Sequence, residues 1–262
     1  MDAAKLEVRK LTKVFRGRRE AVTAVDDVSF ALGDSEFVSL VGPSGCGKST
    51  VLTIAAGLED PTHGAVLVDG QPVRGPGRDR GVVFQTYTLF PWLTVRRNVE
   101  FALRGEDMSR QARRDVAREQ LELVGLLGFE DAYPGQLSGG MRQRVAIARA
   151  LSYRPTVLLM DEPFGALDAL TRQLMQELLT RVWEEHRLTV LFITHDIDEA
   201  VFLSDRVLLM SARPGRIIEH VKIELERPRR FEMQTLPSFV EYRAHLLESV
   251  RAGGAQLAVS GP

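Results

Sequence analysis

The chain has one cysteine, Cys46, among its 262 residues. No disulfide can form within it, so its stability must come from packing. Lysine is almost as scarce, with five residues against 29 arginines. Guanidinium groups suit phosphate recognition, although a codon bias gives the same excess. Long apolar runs are missing as well. Stretches such as Val190 to Ile193 fall far short of the ~18 residues that span a bilayer, so any membrane role is peripheral. Neither sign of charge dominates: 34 basic and 35 acidic residues are interspersed, for a net charge of -1. That balance argues against a broad basic surface tracking nucleic acid. A content of 44% hydrophobic and 26% charged residues is that of an ordinary globular protein, for which disorder is not the expectation, and the length allows one large core or two small ones. No charged and apolar leader precedes the first predicted strand, which with the lone cysteine leads us to expect a reducing cytoplasm. Internal repeats and low-complexity segments are absent.

What stands out against this ordinary background is Gly42-Pro43-Ser44-Gly45-Cys46-Gly47-Lys48-Ser49-Thr50, placed between an apolar run at 37–41 and another at 51–56. Strand, glycine loop, helix is the order of a phosphate cradle. Gly42, Gly45 and Gly47 are expected at positive φ, so that successive N–H groups converge at the positive end of a helix. Lys48 then reaches the β- and γ-phosphates of a nucleotide, and Ser49 joins the shell of a Mg²⁺ that bridges them. With 22 glycines, five lysines and 27 Ser plus Thr, chance would supply only roughly 0.004 such patterns in this chain, so an incidental glycine turn is set aside. Cys46 is expected to carry a reactive thiol, its thiolate favoured by Lys48 and the helix N-terminus.

Around the loop the pattern is mixed. Leu6 to Thr12 and Ala24 to Leu32 alternate as antiparallel strands do, separated by Gly17 and a basic cluster at Arg16, Arg18 and Arg19. Phe15 follows the first strand and suits either an adenine ring or the core. Ala65 to Val68 reads as a strand turning at Asp69-Gly70, and Gly81 to Phe84 as a buried one that ends at Gln85. Residues 86–153 read as a helical insertion, with Ser109 as an N-cap. Strands and helices alternate afterwards: strand 156–160, helix 169–185, strand 188–194, helix 197–203, strand 206–211. An amphipathic helix over 237–252, stopped by Gly253-Gly254, closes the pattern before a frayed tail. The fold class is α/β, with a P-loop NTPase core on a mostly parallel sheet, an N-terminal antiparallel β subdomain and an inserted helical subdomain. Ligands of such sheets bind at the strands' carboxyl ends.

Three further groups fall at such ends or at a helix start. Asp161 and Glu162 follow the apolar strand directly. Paired carboxylates there are costly without a cation, which makes Asp161 a Mg²⁺ ligand and Glu162 the base that polarises an attacking water. His195 ends the next strand, placed for a γ-phosphate oxygen or for that water. Ser138, Gly139 and Gly140 open a helix, a second anion site on a separate part of the chain. Two such sites suggest that the second serves a nucleotide held by another copy.

Taken together, the glycine loop, Gln85, LSGG at 137–140, LLMDEP at 158–163, Ala166-Leu167-Asp168 and His195 resemble the ATP-binding cassette ATPases in order and spacing, over about Leu6 to Leu225. The resemblance implies a head-to-tail dimer holding two ATP molecules between one subunit's loop and the other's LSGG. It implies that Gln85 senses Mg²⁺ and touches a transmembrane partner, that Asp168 lies at the dimer seam, and that Phe15 stacks on adenine. The segments at 90–103, 164–172 and 194–217 are similar to ATP subunits of nitrate, sulfonate and taurine importers. On that basis residues 6–225 are expected to form the cassette, with its helical subdomain over about 86–153, and 226–262 a C-terminal extension. The expected partners are integral-membrane permease subunits and, indirectly, a solute-binding protein, but no nucleic acid. The expected location is the cytoplasmic face of the inner membrane. Soluble cassette ATPases of DNA maintenance or translation are the competing class, disfavoured by the lack of sustained heptads; cassettes that drive export are another. Tyr87, Leu89, Phe90 and Trp92 crowd around Pro91 beside Gln85, and these aromatics either pack inside the helical insertion or form an exposed partner site.

Overall fold

A computed structural model describes residues 4–17 and 20–255. Arg18, Arg19 and the tail expected to fray lie outside the described residues.

Two sheets organise the chain. In the first, β1 (Leu6–Arg16) pairs antiparallel with β2 (Ala21–Leu32) on one side and with β4 (His63–Val68) on the other. The two-residue β5 (Gln71–Pro72) returns from the Asp69-Gly70 turn along β4. The second sheet holds β3 (Phe37–Val41), β6 (Arg80–Val83), β7 (Val157–Asp161), β8 (Thr189–Thr194), β9 (Arg206–Met210) and β10 (Ile217–Lys222), in the order β10-β9-β3-β8-β7-β6. All its pairings are parallel except β9 with β10.

Strand alternation in β7 and β8 divides the core. Leu158, Met160 and Phe192 join one apolar cluster, with most of the helices, while Leu159, Leu191 and Ile193 join the other, under the antiparallel sheet. Both faces are thus covered, which is why these strands are apolar throughout. By the same parity Asp161 follows Val157 and Leu159 onto the face of α1 (Lys48–Ala55).

The remaining helices are α2 (Val95–Ala102), α3 (Arg110–Leu123), α4 (Gly139–Leu151), α5 (Ala169–His186), α6 (Ile197–Leu203) and α7 (Pro237–Ala255). Side chains of Thr94, Ser109, Ser138, Asp168 and Asp196 cap α2 to α6 by accepting from their first-turn N–H groups. Each cap is worth about 1 kcal/mol. Ser109 is the cap that the sequence pattern pointed to.

Several expectations need correction. Phe84 lies beyond β6, and residues 84–94 form a loop without helix, tied down by Asn98, whose amide donates to the carbonyls of Phe90, Leu93 and Thr94. Strands β5 and β10 were not anticipated. Both run along a sheet edge, where exposed residues, both of β5 and three of the six in β10, dilute the apolar signal. Gly253-Gly254 does not stop α7, which continues to Ala255. That helix is anchored against α6 and β9 by Phe239 and Leu246, both fully buried. Among the described residues no helix is long and apolar enough to cross a membrane.

Candidate functional site

The phosphate loop leaves β3 at Gly42 and enters α1 at Lys48. Gly45 and Gly47 have φ of 75° and 105°, the left-handed conformations that only glycine adopts without strain. Gly42, however, is not among the positive-φ residues. Its lack of a side chain answers a different need: a Cβ there would sit 2.8 Å from the Met210 carbonyl oxygen and 3.1 Å from Cys46 Sγ. The Lys48 ammonium is buried and donates to the carbonyls of Gly42 at 2.8 Å and Pro43 at 3.1 Å. Its bonds go to dipoles rather than to a carboxylate, so its charge is available to an anion lying on the loop.

Cys46 departs from expectation. The side chain is 1% exposed and belongs to the core cluster beneath the antiparallel sheet. Burial pushes its thiol up, outweighing the nearby Lys48 charge, so the thiolate is disfavoured rather than favoured. Its N–H is taken by the Pro43 carbonyl at 3.3 Å. The residue holds the loop's shape from below.

Ser49 Oγ donates to Asp161 Oδ1 at 3.1 Å, as the shared face of α1 and β7 requires. Desolvation raises the Asp161 carboxyl above the ordinary range, the Ser49 bond pulling it back. Glu162 leaves the strand direction with φ 42°, in the left-handed region, and its N–H donates to the Ile193 carbonyl at 2.9 Å. That bond aligns the ends of β7 and β8, and Glu162 Oε2 comes to 3.1 Å from His195 Nδ1. Gln85 is exposed beside the same carboxylate: its Nε2 and Glu162 Oε2 lie 3.4 and 3.8 Å from one point, where a Gly165 Cβ would stand.

These elements enclose a cleft of about 470 Å³. Ser44, Lys48, Ser49, Thr50 and Glu162 form its polar floor and wall. Phe15 closes one end at 43% exposure, which makes it a rim residue and not part of the core. Val22, Ala24 and Arg213 also line it, and sequence reasoning did not find them. Arg213 Nη2 donates to the Gly45 carbonyl at 3.2 Å. A signal existed: Arg213 follows β9, the parallel neighbour of the strand that feeds the loop, at its carboxyl end.

Ser138, Gly139, Gly140 and Asp168 are not brought to this cleft. Exposed Ser138 accepts from Met141 N–H at 3.3 Å as a helix cap. A Cβ on Gly139 would meet the Tyr87 hydroxyl at 2.9 Å, and one on Gly140 the Thr171 Cγ2 at 2.4 Å. Both glycines therefore also serve close packing. Asp168 accepts from Thr171 N–H at 3.0 Å, and the N–H groups of the α5 start hold its carboxyl below the usual range. Of the aromatics after Gln85, Phe90 is half-buried against Phe101, with ring centroids 4.5 Å apart, whereas Trp92 is 70% exposed.

A parallel sheet with a glycine loop at its carboxyl edge, a buried loop lysine and a carboxylate at the neighbouring strand end defines a P-loop protein of the nucleoside-triphosphate-binding class. The family model described as "ABC transporter" matches residues 25–165. The chain belongs to the ABC transporter family, in the class of its ATP-binding cassettes. It is 53% identical over 247 residues to an uncharacterized ABC transporter ATP-binding protein of Methanocaldococcus jannaschii, covering 94% of this chain and 91% of that one. It is 49% identical over 252 residues to the nitrate import ATP-binding protein NrtD of Synechocystis sp., covering 94% and 95%. Identity to the aliphatic sulfonates import ATP-binding protein SsuB of Bacillus thuringiensis is 44% over 249 residues, covering 95% and 97%. Among solved structures, the dimeric MJ0796 cassette bound to ADP and Pi superposes with a TM-score of 0.75 at 36% identity, covering 84% of this chain and all of that one.

Proposed function

We propose that this chain is the ATP-hydrolysing subunit of an importer that drives uptake of a small anionic solute, such as nitrate, a sulfonate or taurine, through a separate membrane permease. The observation that carries the reading is the cleft itself, with an aromatic rim at Phe15, a buried cation at Lys48 and a base candidate at Glu162 in one continuous space. The import names of the relatives supply the direction of transport and the solute class.

In this reading the adenine lies on Phe15, the phosphates lie on the N–H groups of the loop, and Lys48 holds their charge. Mg²⁺ fits the donor set: Ser49 and Asp161 offer hard oxygens 3.1 Å apart, and a carboxyl raised by burial gains from a cation. Gln85 is assigned to the same ion. When bound, Mg²⁺ supplies neutralisation of the phosphate charge. Glu162 accepts a proton from the attacking water, and His195 fixes the carboxylate through Nδ1 while presenting its other ring nitrogen. Ser138, Gly139, Gly140 and Asp168 do not line the chain's own cleft, and this reading gives them to the nucleotide of a second copy in a head-to-tail dimer. A dimeric relative supports that assembly. The exposed Trp92, on the same 84–94 loop as Gln85, is the contact for the permease, a solute-binding protein completes the system, and the chain works peripherally on the cytoplasmic side. Residues 6–225 act as the cassette, with the helical part near 86–153, and 226–262 as its extension.

The test is direct. Purified protein should hydrolyse MgATP, and Lys48→Ala should bind ATP at least tenfold more weakly. With its permease in liposomes, the complex should couple hydrolysis to uptake when the matching solute-loaded binding protein is added. Unaltered ATP affinity in Lys48→Ala would sink the loop assignment; uptake of none of nitrate, sulfonates or taurine would sink the solute class.

A further inference from the structure

Behind the Glu162–His195 contact lies a carboxylate that the reaction outlined above does not use. Glu199, in the first turn of α6, is 4% exposed. Its Oε2 accepts from Thr194 Oγ1 at 2.7 Å. The same Thr194 oxygen accepts from the Asp196 N–H at 3.0 Å, so one hydroxyl spans the turn in which His195 is the middle residue. Asp196 in turn caps α6, its Oδ1 accepting from the N–H groups of Asp198 and Glu199 at 2.9 and 3.2 Å. The His195 backbone thus lies between Thr194, bonded to the Glu199 carboxylate, and Asp196, bonded to the backbone N–H groups of Asp198 and Glu199.

Arg172 joins this turn to another segment. Its Nη2 donates to the Leu167 carbonyl at 3.1 Å, immediately before Asp168. Its Nη1 lies 3.4 Å from Asp196 Oδ2, and its Nε, which is buried and has no hydrogen-bond partner, lies 3.8 Å from Glu199 Oε1. One guanidinium is therefore shared between two carboxylates at the histidine turn and a carbonyl at the start of α5. Gly165, Arg172, Thr194, His195, Glu199 and Glu162 also line one small void.

We propose that Arg172 and Glu199 are positioning residues for His195, holding its imidazole against Glu162 and tying that geometry to the segment that ends in Asp168. The inference rests on the ATPase reading and deepens it. Neither residue touches the cleft, so neither is assigned a contact with nucleotide.

The charge of Glu199 is the adjustable part of this arrangement. Its pKa is raised to about 7: burial is the largest cause and Asp196 adds to it, while the Thr194 bond, Arg172 and Gln176 pull it back. The charged and titratable groups around it are Arg172 from α5, Asp196 and His195 from the turn, and Glu162 from the end of β7, all lining the same small void. Gln176 of α5 is neutral, and Arg243 of α7 engages Asp198 instead, at 3.8 Å. Above neutrality Glu199 is ionised and attracts the Arg172 guanidinium. Below it, protonation leaves Asp196 as the only anion paired with Arg172 among the described residues, and the clamp on the histidine turn loosens. Turnover should therefore fall through neutral pH on the acid side.

The experiment measures kcat and KM for MgATP from pH 6 to 9 in the full-length chain and in Glu199→Gln, Arg172→Ala and Arg172→Lys, with equilibrium ATP binding alongside. Glu199→Gln should lose about 5- to 20-fold in kcat at pH 8, keep KM and ATP affinity within about twofold, and lose the acid limb near neutrality. Arg172→Ala should show a similar kcat loss that Arg172→Lys partly rescues. Arg172 is partly exposed, so these variants keep the test alive if Glu199→Gln does not fold. Native kcat and an unchanged pH profile in Glu199→Gln would overturn the proposal, as would native kcat in Arg172→Ala. A fall confined to KM would overturn it too. Should the native chain hydrolyse no ATP, the ATPase reading fails instead, and the two failures are distinguishable.

Discussion

Replacing Gly47 by alanine separates two costs that the phosphate loop imposes. The residue has φ 105°, and an added Cβ would lie 2.5 Å from Val25 Cγ1 and 2.8 Å from the Ala24 carbonyl oxygen. Val25 is fully buried, so it cannot swing aside. A left-handed residue with a side chain costs about 1–2 kcal/mol, and forcing an atom into a packed site costs about 1–3 more. The sum is roughly 2–5 kcal/mol, a fall in melting temperature of roughly 10 °C for a domain of this size. Two internal controls divide that sum. Gly70 has φ 73° with nothing within 4 Å, so Gly70→Ala should show the conformational cost alone. Gly135 has neither a positive φ nor a close neighbour, and Gly135→Ala should melt within about 1 °C of the native chain. Differential scanning fluorimetry of the three variants, with and without ATP, is the assay. Gly47→Ala should also lose the stabilisation that ATP gives, because β2 must shift and carries Val22 and Ala24 at the cleft. If Gly47→Ala melted no lower than Gly70→Ala, the close approach of β2 to the loop would be refuted.

Glu162→Gln should bind MgATP and hydrolyse it at least ~100-fold more slowly, since a positioned base contributes that much; a rate within threefold of native would remove Glu162 from the chemistry. Cys46 should react with maleimide in the folded chain at least ~10-fold more slowly than after denaturation, because its thiol is buried and its thiolate disfavoured; labelling at equal rates would contradict that burial. Trp92→Ala should leave the melting temperature and the ATPase of the isolated subunit nearly unchanged while lowering transport or assembly with the permease. Adding Phe90→Ala should cost some stability through its contact with Phe101. Normal transport by the double variant would dismiss the aromatic loop as the partner contact.

Much of this architecture was legible because its signals are local. The loop announces itself through glycine spacing, β7 and β8 through unbroken apolar runs, and α3 and α4 through the serines that cap them, Ser109 and Ser138. Cys46 was misread for the opposite reason. Sequence shows that it neighbours Lys48 but not that its side chain turns under the loop into the core, and burial outweighs that neighbour. Arg213 and Glu199 were missed because their partners, Gly45 and Arg172, lie far away along the chain. A buried glutamate in a helix with other acids looks like any solvated residue until the fold places Thr194 above it. The edge strands β5 and β10 were missed because β5 is two exposed residues, while β10, whose burial alternates, carries Ile218 at an outward position and Glu219 at an inward one, so its sequence does not alternate.

The left-handed backbone at Glu162 has a consequence for directed evolution. A glycine there would release the conformational strain, commonly 1–2 kcal/mol, while removing the carboxylate and its bond to His195. Stability and turnover therefore pull on this codon in opposite directions. A library of variants selected only for heat resistance would drift toward chains that melt later and hydrolyse nothing, so selection should include a turnover screen from the first round.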